Sequence, residues 1–475
     1  MASSSGSFTS NARKALADAE LQRALQNVRR GFILKRETAV EALPEFDRLR
    51  AEARAIKDHT LGHLDLYLEA YEEKVNESGG KVHYASTAAE ARDTVLALCR
   101  AAKAKRVTKG KSMVSEEIGL NAHLEGAGID VVETDLGEYV LQIRGEAPSH
   151  IIAPIVHLNK EAIEVDFRRA HRALPSTRKL KSVPDLVAEA RAVLRERFIT
   201  ADVGITGANL LIAETGTSVI VTNEGNGDLT STLPRVHIVI ASIEKMVPTL
   251  EDASTILRLL ARSATGQEMA TYTSFATGPR RDDDPDGPSA YHVVLLDNGR
   301  SDMLGSVFQD MLRCIRCGAC LNHCPVYGVI GGHAYGSIYP GPMGAVLTPA
   351  LQGIEHARDL PNASSFCGRC EEVCPMGIPL PKMMRAWRER DFAKGDPPLR
   401  QRIALKIWAY TAKRPLLYHA LAGAIMPLLA WRAGRSGRFS RFPFGKSWTK
   451  TRDLPAPEGK TFHRLYGKAK RSSSS

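Results

Sequence analysis

Apolar positions recur at helical spacing through the first part of the chain. Among many charged residues, the apolar side chains are Leu16, Leu21, Leu25, Val28, Phe32 and Ile33. Separations of three to five residues place most of these side chains on one face of a helix. The pattern predicts an amphipathic helical arm over residues 1–70.

Between residues 71 and 300 the pattern changes to short runs rich in Val and Ile, separated by helical stretches. These runs are residues 129–133, 151–155, 210–213, 218–222, 236–241 and 291–296. Short β-branched runs bounded by turn residues are typical of strands, and strands that alternate with helices indicate an α/β fold. We therefore predict an α/β domain over residues 71–300, with an exposed loop at residues 278–288.

The chain is too long for one core, because single cores stop growing near about 250 to 300 residues. Its 475 residues include 43% hydrophobic and 25% charged residues, which is ordinary for a globular protein. No uninterrupted apolar run approaches the roughly 18 residues of a spanning helix, and residues 1–10 lack the apolar segment of a secretory signal. The sequence thus predicts a multidomain cytoplasmic protein that does not cross a membrane.

Basic charge is concentrated near the end of the chain. Residues 382–475 hold 22 Lys and Arg against five Asp and Glu, a net charge of +17, whereas the whole chain carries +11. Residues 381–475 also hold all four tryptophans and an apolar stretch, 416–431, interrupted by His419 and Pro427. Such a segment suits a partner subunit first, a membrane surface second and nucleic acid last, because no recognised nucleic-acid-binding fold accompanies it.

Seven of the eight cysteines lie within 61 residues, and the first four form a specific motif. Cys314, Cys317, Cys320 and Cys324, followed by Pro325, match the pattern C-x2-C-x2-C-x3-C-P. In this pattern the short gaps let one loop present three thiolates to one cubane cluster, while the fourth cysteine serves the other cluster. Gly318 keeps the backbone thin where it wraps the inorganic core.

The second motif repeats this pattern without its first cysteine. It consists of Cys367, Cys370, Cys374 and Pro375, with Ser364 where the missing cysteine would stand. Crossed ligation predicts two [4Fe-4S] clusters, the first held by Cys314, Cys317, Cys320 and Cys374, and the second by Cys324, Cys367 and Cys370. The fourth position of the second site stays open. The alternatives are a [3Fe-4S] centre, or a ligand from Ser364, a nearby histidine, water or a partner protein.

Two other uses of clustered cysteines fit less well. A disulfide framework is typical of small secreted domains in an oxidising compartment. Zinc also binds C-x2-C pairs, but it requires closed sets of four ligands, whereas here three cysteines follow at two-residue gaps and both motifs end in Cys-Pro. Iron–sulfur ligation is therefore preferred, and two adjacent clusters suit the transfer of single electrons.

Other motifs are weaker signals. Gly110-Lys111-Ser112 lacks the upstream glycine of a P-loop, so Ser112 is expected to cap a helix. Residues 204–209 and 223–227 are glycine-rich turns that do not match a dinucleotide-binding pattern. The remaining candidates are expected to have structural roles: Glu214 and Glu224 on turns or the surface, Cys99 in an apolar core, and His323 and His333 in exposed loops near the clusters.

Several segments resemble the lactate utilization protein B family over nearly the whole chain. They are residues 111–120, 132–139, 213–217, 221–227, 295–300, 313–320 and 451–457. The resemblance implies that residues 71–300 form a LUD domain with the sugar-isomerase and CoA-transferase type of α/β fold. It also implies a bacterial dicluster ferredoxin-like helical domain at residues 301–380, a C-terminal domain at residues 381–475, and a seven-cysteine set that is the family's own.

The resemblance also implies a function. Family members act beside two other proteins in the oxidation of L-lactate to pyruvate, so we expect an electron-transfer subunit with other lactate-utilization subunits as partners. A membrane-peripheral or quinone-linked acceptor is a further expected partner, and no catalytic residue is assigned. Two alternatives stay open: a LUD domain that acts on acyl groups or small molecules with accessory clusters, and a regulatory iron–sulfur sensor.

Overall fold

The computed structural model describes residues 7–395, 399–442, 445, 448–450 and 452–472. The contacts divide the chain into two compact units, Met1–Asp391 and Phe392–Ser475. The first unit contains the helical arm, the α/β region and both cysteine motifs. The domain boundaries predicted at residues 70, 300 and 380 stay predictions.

The N-terminal arm is helical, as its apolar spacing predicts. Its helices are α1 (Phe8–Ala17), α2 (Ala19–Val28), α3 (Leu34–Glu41), α4 (Phe46–Gly62) and α5 (Leu64–Glu77), with a π-helical turn at Arg29–Ile33. Leu25 and Val28 of the predicted apolar face are buried, whereas Leu16 is exposed. Phe46 and Leu49 of α4 belong to the core that also contains the cysteine motifs. The arm is therefore part of the framework of the candidate metal centre.

Two sheets form the α/β region. The strands are β1 (Lys81–Ala85), β2 (Arg106–Lys109), β3 (Asp130–Glu133), β4 (Val203–Thr206), β5 (Leu210–Ile212), β6 (Thr217–Thr222), β7 (Val236–Ser242), β8 (Met246–Val247), β9 (Tyr272–Ala276) and β10 (Ala290–Leu296). A six-stranded sheet has the order β1-β10-β7-β4-β2-β3, and all its strands are parallel. A four-stranded mixed sheet has the order β8-β5-β6-β9. Five of the six predicted strands are confirmed.

Helices connect the parallel strands. They are α6 (Ala88–Ala101), α7 (Met113–Ile118), α8 (Leu120–Gly126), α9 (Leu136–Arg144), α10 (Lys160–Ala170), α11 (Val183–Ile199), α12 (Asn226–Thr232) and α13 (Leu250–Thr265). Capping boxes begin α11 at Ser182 and α13 at Thr249, so local sequence fixes where both helices start. In register, Val239 of β7 lies between Val293 of β10 and Thr206 of β4. The mixed α/β fold is confirmed.

The strand predicted for residues 151–155 is wrong. The segment consists of bends and turns. Ser149 closes it, because its backbone N–H and its hydroxyl both donate to the carbonyl of Pro154, at 3.1 and 2.9 Å. Proline has no N–H to donate to a ladder. The apolar side chain of Ile151 is buried for another reason, since it packs against the cysteine region.

The cysteine region is helical, as predicted. Its helices are α14 (Ala319–Asn322), α15 (Tyr327–Ile330), α16 (Gly341–Gln352), α17 (Ile354–Ala357), α18 (Asp359–Asn362), α19 (Arg369–Glu372) and α20 (Leu380–Lys394). Short 3-10 turns lie at Ser301–Met303, Gln309–Arg313 and His333–Tyr335. Trp387 of α20 stacks on Phe308 with ring centroids 4.1 Å apart and donates its indole N–H to the carbonyl of Val346 at 3.1 Å. These contacts fix α20 against the region.

The second unit contains helices α21 (Leu399–Ala412), α22 (Pro415–Ala433) and α23 (Phe462–Ser472), and an antiparallel pair of strands, β11 (Arg438–Phe439) and β12 (Leu454–Pro455). Helix α22 contains the whole apolar stretch 416–431, including His419 and Pro427. Among the described residues, the helical segment Pro415–Ser436 is long and apolar enough to cross a membrane by length and composition, with a mean hydropathy of 1.2 and no burial.

Candidate metal centre and adjoining cavity

The first cysteine loop depends on glycine at position 318. Gly318 has a φ of 74°, in the left-handed region that disfavours other residues. A Cβ atom here would approach Ile152 Cγ1 to 3.2 Å and His150 Cε1 to 3.3 Å. Gly318 therefore allows the loop to turn tightly against the segment that contains Ile152, and α14 begins directly after it.

Four cysteines from both motifs surround one cavity. Its lining includes Cys314, Cys317, Cys320 and Cys374. The other walls are mostly apolar and include Ile151, Ile315, Met343, Met376, Ile378 and Leu380. Among the described residues, no three His, Cys, Asp or Glu side chains converge as they would on a single metal ion. Soft sulfur donors spread around an apolar cavity suit an iron–sulfur cluster.

Burial favours the neutral thiol form of Cys317, Cys320 and Cys374. Burial raises the pKa of Cys317 to about 12, and the nearby Cys374 adds to the shift. Burial also raises the pKa of Cys374 to about 11 and that of Cys320 well above its ordinary value, with Cys314 close to both. Thiolates are the metal-binding form, so loading this site must release protons.

The other three cysteines form a second group. Burial, together with the nearby Cys324 and Cys367, raises the pKa of Cys370 to about 12. Cys324 is buried and its sulfur accepts the backbone N–H of Tyr327 at 3.5 Å, whereas Cys367 is exposed. Cys324, Cys367 and Cys370 therefore lie near one another, and the division of the seven cysteines between two clusters stays a prediction.

Ser364 and His323, two candidate fourth ligands of the second group, differ in whether their polar atoms already have hydrogen-bond partners. The Ser364 hydroxyl accepts the backbone N–H of Phe366 at 3.1 Å. His323, expected in an exposed loop, is only 9% exposed, so that expectation is wrong. Its Nδ1 lies 2.9 Å from the carbonyl of Ala319, and its buried Nε2 has no hydrogen-bond partner within the described part of the chain. His333 is exposed, as expected.

Two arginines of the arm support the second motif. Arg36 of α3 donates to the carbonyl of Val373 at 2.9 Å, and Arg50 of α4 donates to the carbonyl of Cys374 at 2.8 Å. Burial lowers the pKa of Arg36, and the nearby Cys317 partly opposes that shift. The arm therefore holds the backbone of the second motif and places positive charge beside the first set of cysteines.

A buried ionic network connects the α/β region to the first motif. Arg300, in the turn that follows β10, makes two hydrogen bonds to Glu117 of α7, at 2.9 and 2.6 Å. Its Nε lies 3.0 Å from Glu244 Oε2, an ion pair without hydrogen-bond geometry. Arg316 donates to Glu244 Oε1 at 3.0 Å. Burial alone would raise the pKa of Glu244, but Arg300 and Arg316 lower it to about 2.

An open cavity of about 240 Å³ lies beside this network. Its walls include Gly110 after β2, Thr206 at the end of β4, and Lys245 after β7. Carboxyl ends of parallel strands meet at one edge of a sheet, where ligands of open α/β folds bind. Arg316 also lines this cavity, and Ile151 lines both this cavity and the one surrounded by cysteines. The two candidate sites are therefore adjacent.

Sequence reasoning missed most of the cavity's charged residues. Lys245 and Arg316 carry no motif of their own, and only their positions after β7 and inside the first cysteine loop would have pointed to them. Glu224 lines the cavity and is exposed, so the expectation of a surface position is confirmed. Glu214 is exposed and accepts the backbone N–H of Leu250 at 2.8 Å.

Two further structural expectations are confirmed. Ser112 caps α7, because its hydroxyl accepts the backbone N–H of Ser115 at 3.2 Å. Cys99 is fully buried in α6, and burial raises the pKa of its thiol to about 12. The burial of Cys99 within a helix, apart from the seven clustered cysteines in sequence, agrees with a packing role.

Comparison with known proteins identifies the family. The chain is 42% identical to the lactate utilization protein B of Anoxybacillus flavithermus over 460 residues, which cover 96% of each chain. The chain belongs to the lactate utilization protein B family. It is also 39% identical to the uncharacterized electron transport protein YkgF of Escherichia coli over 97% of this chain and 96% of that protein.

Within this lactate utilization protein B family member, two regions match described domains. Residues 68–296 match the LUD domain, and residues 310–378 match a 4Fe-4S dicluster domain. A crystal structure of a DUF162 family protein from Deinococcus radiodurans is 14% identical and covers 49% of this chain and 98% of that chain, with a TM-score of 0.27. A likeness of that size supports no conclusion about either fold or function.

Proposed function

We propose that this chain is the electron-transfer subunit of a complex that oxidises L-lactate to pyruvate, and that it holds two [4Fe-4S] clusters. The observation that carries the proposal is the meeting of Cys320 and Cys374, from two motifs, at one apolar cavity. The 42% identical relative named lactate utilization protein B supports the substrate, and the relative named as an electron transport protein supports the role.

The residues of the chain have separate tasks in this proposal. Cys314, Cys317, Cys320 and Cys374 bind the first cluster, and Cys324, Cys367 and Cys370 bind the second. Arg36 and Arg50 keep the second motif in place through its carbonyl groups. The apolar wall excludes water from the first cluster, which strengthens the effect of each nearby charge. When bound, the clusters supply one-electron transfer.

The second cluster lacks a fourth cysteine. The Ser364 hydroxyl accepts a backbone hydrogen bond, and the Nε2 atom of His323 is free of protein partners among the described residues. We propose a [4Fe-4S] cluster whose last ligand is not cysteine. The alternatives are a ligand from Ser364, His323, water or a partner, and a [3Fe-4S] centre without the fourth ligand. Ser364→Ala and His323→Ala, compared by spin resonance, test the two side chains.

Anaerobic purification of the full chain tests the proposed function. Two filled cubanes give about eight iron atoms per chain, and a three-iron second centre gives about seven. L-lactate should bleach the visible absorption only when the copurified partner subunits are present, because the proposed function is a relay. Zinc in place of iron, or clusters that stay oxidised when lactate is added to the complete complex, would contradict the proposal.

We also propose that the second unit attaches the chain to an anionic membrane. Helix α22 is mostly apolar and none of its residues is buried. Lys413 and Arg414 precede it, Arg432 lies in its last turn and Arg435 follows it. An apolar helix finds a favourable environment in lipid, while flanking cations attract anionic headgroups. Partner subunits are the alternative, because a protein surface could cover the same helix.

Vesicle flotation of the full chain tests this attachment. The chain should float with vesicles that contain phosphatidylglycerol, and Leu421→Asp in α22 should weaken this binding. Val165→Asp changes an exposed apolar residue in the first unit and serves as the matched control. Equal flotation of the wild type and Leu421→Asp, or flotation with neither neutral nor anionic vesicles, would contradict membrane attachment and favour the partner.

A further inference from the structure

The two cysteine loops share one backbone feature. Arg316 and Phe366, which directly precede Cys317 and Cys367, have φ values of 60° and 55°, in the left-handed region that residues other than glycine rarely adopt. Both residues hold the same place in their motifs, so the two loops turn in the same way. The surroundings of the two turns can therefore be compared directly.

The first turn is covered by the α/β region. The side chain of Arg316 is 10% exposed, and it donates to Glu244 in the turn after β7. Its guanidinium group also lies over the ring of Tyr339, 5.3 Å from the centroid. Cys317, which follows it, is buried. The chain itself therefore covers this side of the first cluster site.

The second turn reaches the surface. Phe366 is partly exposed, and Cys367 is the one exposed cysteine among the seven clustered cysteines, all of which the structure describes. Electrons tunnel efficiently only over short distances, so a partner protein would exchange them where a cluster lies nearest the surface. The second cluster site is therefore the better point of contact for a redox partner.

Two arginines of α20 lie over Phe366. The guanidinium carbon of Arg388 is 4.2 Å from the ring centroid, and that of Arg385 is 5.9 Å from it. Arg388 also donates its Nε–H to the carbonyl of Pro361 at 2.9 Å, whereas Arg385 is exposed. Aromatic residues and arginines are enriched at the centres of protein–protein interfaces. Phe366 and its two arginines form such a patch beside an exposed cluster ligand.

No acidic side chain neutralises these two arginines. Among the residues that the structure describes, neither makes an ion pair. Burial and the nearby Arg385 lower the pKa of Arg388, so the neighbouring charge is another cation. Helix α20 carries five Lys and Arg against two Asp and Glu, and Asp391 is paired with Arg358 at 2.9 Å. The patch therefore carries positive charge that a partner can meet.

The short helix that follows Cys367 has the opposite charge. Arg369 of α19 is paired with Glu372 at 2.5 Å and with Glu37 of α3 at 3.6 Å. Glu371 of the same helix is exposed. An acidic partner would therefore dock on the α20 side of Cys367.

We propose that Phe366, Arg385 and Arg388 form a docking surface for an acidic protein that exchanges electrons with the second cluster. The two arginines attract an acidic surface toward the exposed cysteine, and Phe366 supplies an apolar contact. The inference rests on the proposed function, because it requires the second cluster to be bound. An anionic membrane would meet the same charge, but lipid headgroups have no redox centre, so a protein is the occupant.

Stopped-flow reduction of the anaerobically purified full chain tests the surface. The electron donors are a reduced plant-type [2Fe-2S] ferredoxin, which is an acidic protein, and the methyl viologen radical, which is a small cation. Ferredoxin should reduce the second cluster, followed by spin resonance, at a rate that falls as salt is added, because salt screens the attraction. The rate with methyl viologen should not fall. Reduction by methyl viologen but not by ferredoxin, or a ferredoxin rate that does not depend on salt, overturns the proposal.

Three variants assign the effect to the named side chains. Arg385→Gln and Arg388→Gln should each lower the ferredoxin rate about two- to fivefold at low salt, and the differences should vanish at high salt. Arg388→Lys keeps the charge and should retain most of the rate. None of the three should slow reduction by methyl viologen, whereas a purely structural defect would slow both donors at every salt concentration.

Arg195→Gln is the matched control, because Arg195 is an exposed arginine on α11 of the α/β region. It should follow the wild type with both donors. The same loss of ferredoxin rate in Arg195→Gln as in Arg385→Gln would show that only the total charge matters, and this outcome overturns the docking surface.

Iron content and melting temperature are measured on every variant. Equal ferredoxin rates for the wild type and a folded Arg385→Gln protein overturn the inference, and Arg385→Gln decides if Arg388→Gln does not fold. Weaker vesicle flotation of Arg385→Gln, or loss of a dimer, with unchanged ferredoxin kinetics would assign the surface to a membrane or a second copy instead. Absence of iron would refute the proposed function, whereas filled clusters without salt-dependent reduction would refute this surface alone.

Discussion

Arg300 and Glu117 form a two-pronged ion pair that is entirely inside the protein. The side chain of Arg300 is 0% exposed and that of Glu117 is 5% exposed. Although burial alone would raise it, Arg300 holds the pKa of Glu117 below its ordinary value. Tyr339, from the segment between the cysteine motifs, donates to Glu117 at 2.7 Å. The pair therefore connects the α/β region to the segment that joins the two motifs.

Loss of the negative charge at position 117 should destabilise the protein strongly. Glu117→Gln leaves the buried guanidinium of Arg300 without its closest counter-charge, and breaking a buried pair from one side costs about 3 to 5 kcal/mol. We expect the melting temperature of the iron-loaded chain to fall by at least about 5 °C, measured anaerobically by circular dichroism.

An exposed glutamate provides the control for this change. Glu161→Gln, on α10, removes a carboxylate that is 70% exposed and 3.6 Å from Lys160. Surface pairs contribute about 0 to 1 kcal/mol, so its melting temperature should stay close to that of the wild type. Equal melting temperatures for Glu117→Gln and the wild type would show that the buried pair adds nothing to stability.

The sequence was sufficient to predict those elements whose signal is local. Strands β6, β7 and β10 follow from Val and Ile runs, and the cap at Ser112 follows from its neighbours. The run at residues 151–155 gives the same signal but forms turns, because its apolar side chains are buried against the cysteine loop rather than within a sheet. An apolar run indicates that a segment is buried, but it does not indicate which part of the protein covers that segment.

The cysteine motifs and the charged cavity also differ in how far they could be predicted from the sequence. The cysteine spacing is set by one compact loop, so it could be recognised from the sequence. The charged cavity could not, because Lys245 and Arg316 are 71 positions apart and meet only after β7 and the first motif come together. Likewise, the support that Arg50 gives to Cys374 joins residues 324 positions apart.

Single cysteine substitutions should show, by the iron and the spin-resonance signal that remain, which cysteines bind the same cluster. Cys320→Ala and Cys374→Ala remove ligands of the same proposed cluster, although the two cysteines belong to different motifs. Both variants should lose about half of the iron and leave the same remaining spin-resonance signal. Cys324→Ala and Cys370→Ala should leave the other signal.

Cys99→Ala is the control for the cysteine series, since Cys99 is buried in α6 away from both sets. It should retain all of the iron. Crossed ligation would be wrong if Cys374→Ala left the same signal as Cys370→Ala, because each motif would then bind its own cluster.

Removal of the charge of Arg36 should make the first cluster harder to reduce. Arg36 lies close enough to Cys317 and Cys374 for their charges to interact, and a positive charge stabilises the reduced, more negative form of a cluster. Arg36→Gln should shift the midpoint potential of the first cluster to more negative values by tens of millivolts, given that about 59 mV corresponds to a tenfold change in a one-electron equilibrium.

The exposed Arg23 of α2 is the control for Arg36, with a side chain that is 74% exposed. Arg23→Gln should leave both potentials unchanged, because solvent screens its charge. Spectroelectrochemical titration of both variants measures the shift. A positive shift in Arg36→Gln, or the same shift in both variants, would show that Arg36 does not act on the cluster through its charge.

Glu138 should make the protein less stable as the pH rises. It is 4% exposed on α9, and burial, followed by the nearby Glu133, raises its pKa to about 8. Lys109, Glu116 and Lys111 are the other charged groups that act on it. The folded state therefore keeps a proton that the unfolded state releases near the ordinary value of 4.5. Between these two values the free energy of unfolding falls with rising pH, by at most about 1.4 kcal/mol per unit.

Glu138→Gln removes this titration and should flatten the pH dependence. The variant should unfold at a higher denaturant concentration than the wild type at pH 8, and the difference should shrink toward pH 5, because both proteins are then neutral at position 138. Glu161→Gln should follow the wild type at both values, since Glu161 is exposed. A larger advantage of Glu138→Gln at pH 5 than at pH 8 would reverse the predicted sign and show that Glu138 is charged in the folded protein.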